Sequence, residues 1–151
     1  MNSPPRALTA VADDAVEAML AQLRRNGGRA TAAKRLLLRA LLASHDHRSA
    51  EQLAGQVQAE SPDVHLTTIY RNLDELERLH LVERTYTGHG PATYHLTTTP
   101  HGHLACQACG TITEIPATDF ANLATAVQRK YGFTISPGYL ALAGHCSKCG
   151  A

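Results

Sequence analysis

Apolar positions recur at helical spacing through the first half of the chain and collapse into short β-prone runs in the second. Thr9 stands where a cap belongs, with Leu8 and Val11 beside it, and Gly27-Gly28 supplies a stop, which together predict a first helix. Thr31 opens a second, with Leu36, Leu37, Ala40, Leu41 and Leu42 forming a mostly apolar face. Ser49 followed by Ala-Glu-Gln-Leu predicts a capped third helix whose Leu53 and Val57 lie four apart, ended by Ser61-Pro62-Asp63. A fourth starts at Thr67 or Thr68 and places Ile69, Leu73, Leu76 and Leu79 or Leu81 at the helical period.

From there the period shortens. Leu81-Val-Glu-Arg-Thr-Tyr86 and Ala92-Thr-Tyr-His-Leu96 read as strands around the turn sequence Gly88-His89-Gly90-Pro91. Helices followed by such a hairpin describe a winged helix-turn-helix over residues 1–96. The polar run Thr97-Thr-Thr-Pro100 reads as a linker, and residues 101–151 as a second, mixed α/β domain, so the fold class is α+β. In that second domain strands are expected at His103 to Ala105, at Thr111 to Ile115 and at about Tyr139 to Ala143, with a helix from Asp119 to Tyr131 ended by Gly132.

Composition sharpens this picture at three points. With no tryptophan and two phenylalanines in 151 residues, the cores must be aliphatic. The net charge is only +1, yet Arg24, Arg25, Arg29, Lys34, Arg35 and Arg39 fall in a stretch without an acidic residue, a stripe suited to phosphate. Asp13, Asp14 and Glu17 interrupt the start, and no segment reaches the roughly 20 apolar residues of a membrane span. The expectation is a soluble cytoplasmic protein, in which paired cysteines read as metal ligands rather than disulfides.

All four cysteines lie in Cys-x-x-Cys pairs, Cys106/Cys109 and Cys146/Cys149. Two residues between thiolates let both reach one ion from a tight turn, and a second turn completes a closed tetrahedral zinc site. A redox dithiol would stand alone near a βαβ pattern, which this chain lacks. His101 and His103 alternate at strand spacing and so share a face. His95 lies across the linker from them, His47 precedes the third helix, and Glu114 sits on a neighbouring strand. Imidazoles with one carboxylate suit a second, exchangeable divalent ion (zinc, iron, manganese or nickel) without choosing among them. His45, His65, His80, His89 and His145 read as ordinary surface histidines, although His65 is near enough to the fourth helix to approach a phosphate. That helix opens Leu66-Thr-Thr-Ile-Tyr-Arg-Asn-Leu73. The hydroxyls of Thr67 and Thr68 suit phosphate, Tyr70 a thymine methyl or the backbone, and Arg71 a base edge or phosphate. Asp74, Glu75 and Glu77 follow, so only its first turns should enter a DNA groove.

Three motifs in order, Thr67-Thr-Ile-Tyr-Arg-Asn-Leu73, His101-Gly-His-Leu-Ala-Cys-Gln-Ala-Cys-Gly110 and Gly144-His-Cys-Ser-Lys-Cys149, resemble the ferric uptake regulator family of metal-dependent bacterial repressors. The resemblance runs from about Gly28 to Cys149. It implies a winged-helix DNA-binding domain, an α/β dimerisation domain with a four-cysteine zinc site, and a homodimer that grips a palindromic operator when metal-loaded. No membrane, no small-molecule substrate and no catalysis are expected. By the same resemblance Cys106, Cys109, Cys146 and Cys149 hold structural zinc, one per protomer, and His47, His95, His101, His103 and Glu114 form a regulatory site. Glu83 on the wing strand is the alternative to His47.

This chain departs from the family in places. His95 stands where iron-type members usually carry glutamate and zinc-type members cysteine. An additional family site falls on Pro100, Gly102, Ala121 and Gly138, none a good ligand, so one structural and one regulatory ion are expected. The family's threonine-proline-x-arginine becomes Thr31-Ala-Ala-Lys34 followed by Arg35, for which a phosphate contact is expected. Two other functions compete. A peroxide-sensing member of the family usually carries aspartate where this chain has Glu114. A metal hydrolase needs an open coordination position and a general base, for which five ligands leave little room.

Overall fold

The computed structural model describes residues 6–44, 47–86, 90–97 and 101–150, with the backbone alone at 6–11 and 138. It divides into two compact units, residues 1–82 with 94–96 and residues 83–93 with 97–151.

The first unit is built on four helices: α1 (Arg6–Arg25), α2 (Ala32–Ala43), α3 (Ala50–Glu60) and α4 (Leu66–Arg78). The helix α1 begins upstream of Thr9, so the capping role expected of that residue is corrected: Ala, Leu and Arg around it are good helix formers and carry the helix through it. Its end is as expected. Gly27 takes φ +78°, and the Gly28 N–H returns to the Leu23 carbonyl at 2.9 Å, satisfying a carbonyl of the last turn. Thr31 caps α2 by accepting from the Lys34 N–H. At α3 a full capping box forms: Ser49 Oγ accepts from the Gln52 N–H at 3.3 Å, and Gln52 Oε1 accepts from the Ser49 N–H at 2.9 Å. The helix α4 starts at Leu66, slightly earlier than the threonines suggest, with His65 at the cap making no side-chain bond there. His80 at φ 56° and the Leu81 N–H on the Leu76 carbonyl turn the chain out of it.

One stripe from each helix closes the core. Val16, Leu20 and Leu23 of α1, Leu37, Leu38 and Leu41 of α2, Leu53 and Val57 of α3, and Ile69, Leu73 and Leu76 of α4 are all buried. Burying an aliphatic side chain of this size contributes about 1.5–3 kcal/mol, so this aliphatic set suffices without tryptophan. The wing strands β2 (Val82–Thr85) and β3 (Thr93–Leu96) form a three-stranded sheet with the short strand β1 (Arg48–Ser49), in the order β1-β3-β2. The strand β1 was not expected: two residues are too few to show a period. Of the expected wing turn, residues 88 and 89 lie outside the described residues, as do 98–100 of the linker.

The second unit carries β4 (His101–Cys106), β5 (Ile112–Pro116) and β6 (Ala141–Gly144) in the order β5-β4-β6. The central strand β4 runs antiparallel to β5 and parallel to β6. Between β5 and β6 lie a 3-10 turn (Ala117–Phe120) and α5 (Ala121–Tyr131). Gly132, at φ 65°, ends α5 as expected. The last strand begins later than expected because Pro137–Tyr139 winds into a 3-10 turn first, where proline has no N–H to give a ladder. Position 102 is tight for a side chain, since a Cβ there would stand 3.0 Å from the buried Phe120 ring. No helix among the described residues is long and apolar enough to cross a membrane.

Candidate metal centre and nucleic-acid interface

The parallel pairing of β4 with β6 builds the cysteine site. Cys106 ends β4 opposite Gly144, and the Gln107 N–H donates to the Gly144 carbonyl at 2.8 Å, so the two Cys-x-x-Cys turns emerge side by side. Each turn is closed by backbone. The Gly110 N–H donates to the Cys106 carbonyl at 2.9 Å and the Cys149 N–H to the Cys146 carbonyl at 3.0 Å. Gly110 and Gly150 follow the turns at φ +72° and +70°, a conformation glycine adopts without strain.

All four Sγ atoms lie within 4.8 Å of one another, and none forms a disulfide. Cys109 and Cys146 are 3.8 Å apart, while a regular tetrahedron with zinc–sulfur bonds of about 2.3 Å has edges of about 3.8 Å. The residues therefore fit a closed, all-sulfur zinc site. The surroundings favour thiolate on the first pair. The Cys146 N–H points at Cys106 Sγ at 3.4 Å and, with the Cys109 N–H, lowers that thiol to about 6. Cys109 is lowered chiefly by the Thr111 hydroxyl, 3.2 Å away. Cys149 is pushed up to about 12 by its neighbours Cys146, Cys109 and Cys106. Four thiolates crowded together need a cation. The sequence pointed to the cysteines; it did not point to Thr111, whose role depends on β5 turning back beside the first pair.

Each unit also contributes a histidine pair. In the first, His47 leads into β1 and His95 lies on the adjacent β3, with ring centroids 4.5 Å apart. In the second, His101 and His103 are buried on β4 with centroids 4.9 Å apart. Glu114 is the cross-strand partner of His103, and its carboxylate lies 3.9 Å from His101 Nε2. His101 and His103 lie close together on β4, as their strand spacing suggests, and Glu114 stands on the neighbouring strand β5. Glu83 is half-buried on β2.

On α4, Thr67, Tyr70 and Arg71 are exposed and Thr68 is half-buried. The Tyr70 hydroxyl donates to Glu51 of α3 at 2.6 Å, and this bond is the first cause of a lowered Glu51 pKa. Sequence reasoning missed Glu51, because a carboxylate beside a helix expected to face DNA reads as a repulsive charge and its partner lies on another helix. Arg35 is half-buried and paired with Glu17. Lys34 requires a correction. Expected on phosphate, its side chain is 6% exposed, 2.6 Å from the Glu75 carboxylate, and it donates to the Arg29 carbonyl at 2.8 Å. Lys34 is the third residue of α2, and its long alkyl stem carries the ammonium inward between α2 and α4.

Comparison with known proteins agrees with this anatomy. The Peroxide-responsive repressor PerR of Staphylococcus aureus is 25% identical over 134 residues, covering 89% of this chain and 90% of that protein. A structure of the ferric uptake regulator from Pseudomonas aeruginosa with manganese superposes with a TM-score of 0.69 at 26% identity, covering 84% of this chain and 96% of that one. The Helicobacter pylori ferric uptake regulator, described as having three functional metal-binding sites, shares the fold with a TM-score of 0.73 at 20% identity over 90% of this chain and 94% of that one. The profile of the Ferric uptake regulator family matches residues 25–142, and with that match the chain belongs to this family of metal-responsive transcriptional repressors, which are not enzymes.

Proposed function

We propose that the chain acts in the cytoplasm as a homodimeric repressor that binds a palindromic operator through α4, with residues 1–96 as the DNA-binding domain, 97–100 as a linker and 101–151 as the dimerisation domain. Zinc on Cys106, Cys109, Cys146 and Cys149 holds the second unit together. A second divalent ion on His47, His95, His101, His103 and Glu114 is the signal. The observation that carries this reading is the division of the histidines: two adjacent imidazoles in the first unit and two in the second, the latter beside a carboxylate. Ligands drawn from both sides of a linker would fix the angle between the domains, and with it the spacing of the two recognition helices of a dimer. Half-sites demand a set spacing, so loaded protein binds and apo protein does not. The contacts assigned to DNA are Thr67, Thr68, Tyr70, Arg71 and Arg35; Lys34 drops out.

The test is binding to the protein's own upstream region after stripping exchangeable metal while keeping cysteine-bound zinc. Zinc, manganese, nickel or anaerobic iron(II) is then restored singly. Recovery with one ion at buffered free concentration names the signal; equal binding with and without every ion rejects the switch. Similarity to a peroxide-responsive repressor supports a second reading, in which iron-loaded protein loses DNA on peroxide treatment and gains one oxygen on His47 or His101. Unchanged mass and binding would reject it. Glu114 in place of aspartate favours the first reading.

A further inference from the structure

We propose that Lys34 and Glu75 form a positioning pair that sets the tilt of α4, so that Lys34 governs operator affinity without touching DNA; this rests on α4 being the DNA-binding element. Three segments meet at this point. The Lys34 ammonium of α2 lies 2.6 Å from Glu75 of α4 and donates at 2.8 Å to the Arg29 carbonyl in the α1–α2 loop. Gly28 of the same loop leaves the room for it. A Cβ there would stand 2.7 Å from Glu75 Oε1 and 2.7 Å from Leu23 Cδ1. The loop is itself tied down by the Gly28 N–H on the Leu23 carbonyl. A buried ammonium held by a carboxylate and a carbonyl is directional, unlike the leucine contacts around it, and breaking such a pair leaves a charge without compensation.

Leverage follows from where Glu75 lies. It sits nine positions from the start of α4, about 14 Å along the axis at about 1.5 Å per residue. Thr67, Tyr70 and Arg71 lie eight, five and four residues before it, about 12, 8 and 6 Å along the axis, so a rotation of the helix about this point shifts all three, Thr67 the most. The charges of Lys34 and Glu75 are matched, so the pair contributes little net field toward phosphate.

The experiment measures operator and non-specific duplex affinity against salt, with thermal midpoints, for wild type, Lys34→Met, Lys34→Arg, Glu75→Gln and Gly28→Ala, all with the activating ion. Gly28→Ala is informative because it crowds the Glu75 carboxylate while removing no charge; since it also crowds the buried Leu23, its affinity is read against its thermal midpoint. The expectation is a loss of about tenfold in operator affinity for Lys34→Met, Glu75→Gln and Gly28→Ala alike. Non-specific affinity and the salt slope should stay unchanged for Gly28→Ala, which keeps both charges, and Lys34→Arg should retain binding. A Lys34→Met slope shallower by about 0.9 would make Lys34 a phosphate contact and overturn the proposal. So would tighter binding by Glu75→Gln, or lowered midpoints with operator affinity intact. If Lys34→Met does not fold, Gly28→Ala and Glu75→Gln decide between the same outcomes. Wild type that binds no duplex with any ion would remove the reading of α4, and the positioning role with it.

Discussion

Cys109 and Cys146 stand 3.8 Å apart without a disulfide, the separation that one tetrahedral zinc ion would set between two thiolates. Structural zinc contributes apparent binding energies of about 10–16 kcal/mol, comparable with the whole net stability of a domain at about 5–15 kcal/mol. Cys149→Ser is therefore expected to abolish zinc retention and unfold the second unit rather than tune it. Elemental analysis with circular dichroism checks this, and a variant keeping one zinc and a native melt would refute it. Glu51 allows a pH prediction. The Tyr70 hydroxyl holds its carboxylate below the ordinary range, so the bond's stabilisation is fully present above the unfolded value and fades as pH falls through the folded one. The group is exposed, so the effect is small. Glu51→Gln should lower the thermal midpoint by about a degree or two at pH 7 and by nothing once the wild-type carboxylate is protonated. An equal deficit at both pH values would mean the bond is not carboxylate-dependent.

At the scale of elements, caps are the most legible feature and also the easiest to test. Ser49 and Gln52 exchange two hydrogen bonds at the start of α3, so Ser49→Ala should cost about 1 kcal/mol, seen as a lower urea midpoint at unchanged slope. No loss would mean that water replaces the cap. The stop signals were equally readable, because Gly132 and Gly27 adopt positive φ for reasons contained in their own covalent structure. Short elements escaped. The strand β1 has two residues, and the 3-10 turn at Pro137–Tyr139 took the start of an expected strand. The helix α5 buries no residue, and Leu123, Tyr131, Phe133 and Tyr139 are all exposed in the single chain. An apolar period there announces a helix without saying what it packs on.

At the scale of the molecule, the regulatory ion and the DNA are linked if both bind as proposed. DNA should tighten metal binding by the factor by which metal tightens DNA binding, since coupling free energies are reciprocal. Protons compete for the same imidazole nitrogens, so metal affinity of the histidine site should fall as pH is lowered. Titration by calorimetry from pH 8 to 5.5 checks this, and a flat affinity would remove the histidines from the site.

The sequence by itself determined the α+β class, the aliphatic helical core, the wing strands and the four cysteines. Each of these rests on local information: a hydrophobic period, a cap, a turn residue or a fixed ligand spacing. Only the tertiary structure decided that Lys34 turns inward to Glu75, that Tyr70 is held by Glu51, and that Thr111 stands beside Cys109. Those pairings join side chains from different elements. A lysine or tyrosine keeps the same local signature whether its tip meets solvent, phosphate or a carboxylate, and only the packing of the neighbouring helix or strand selects among them.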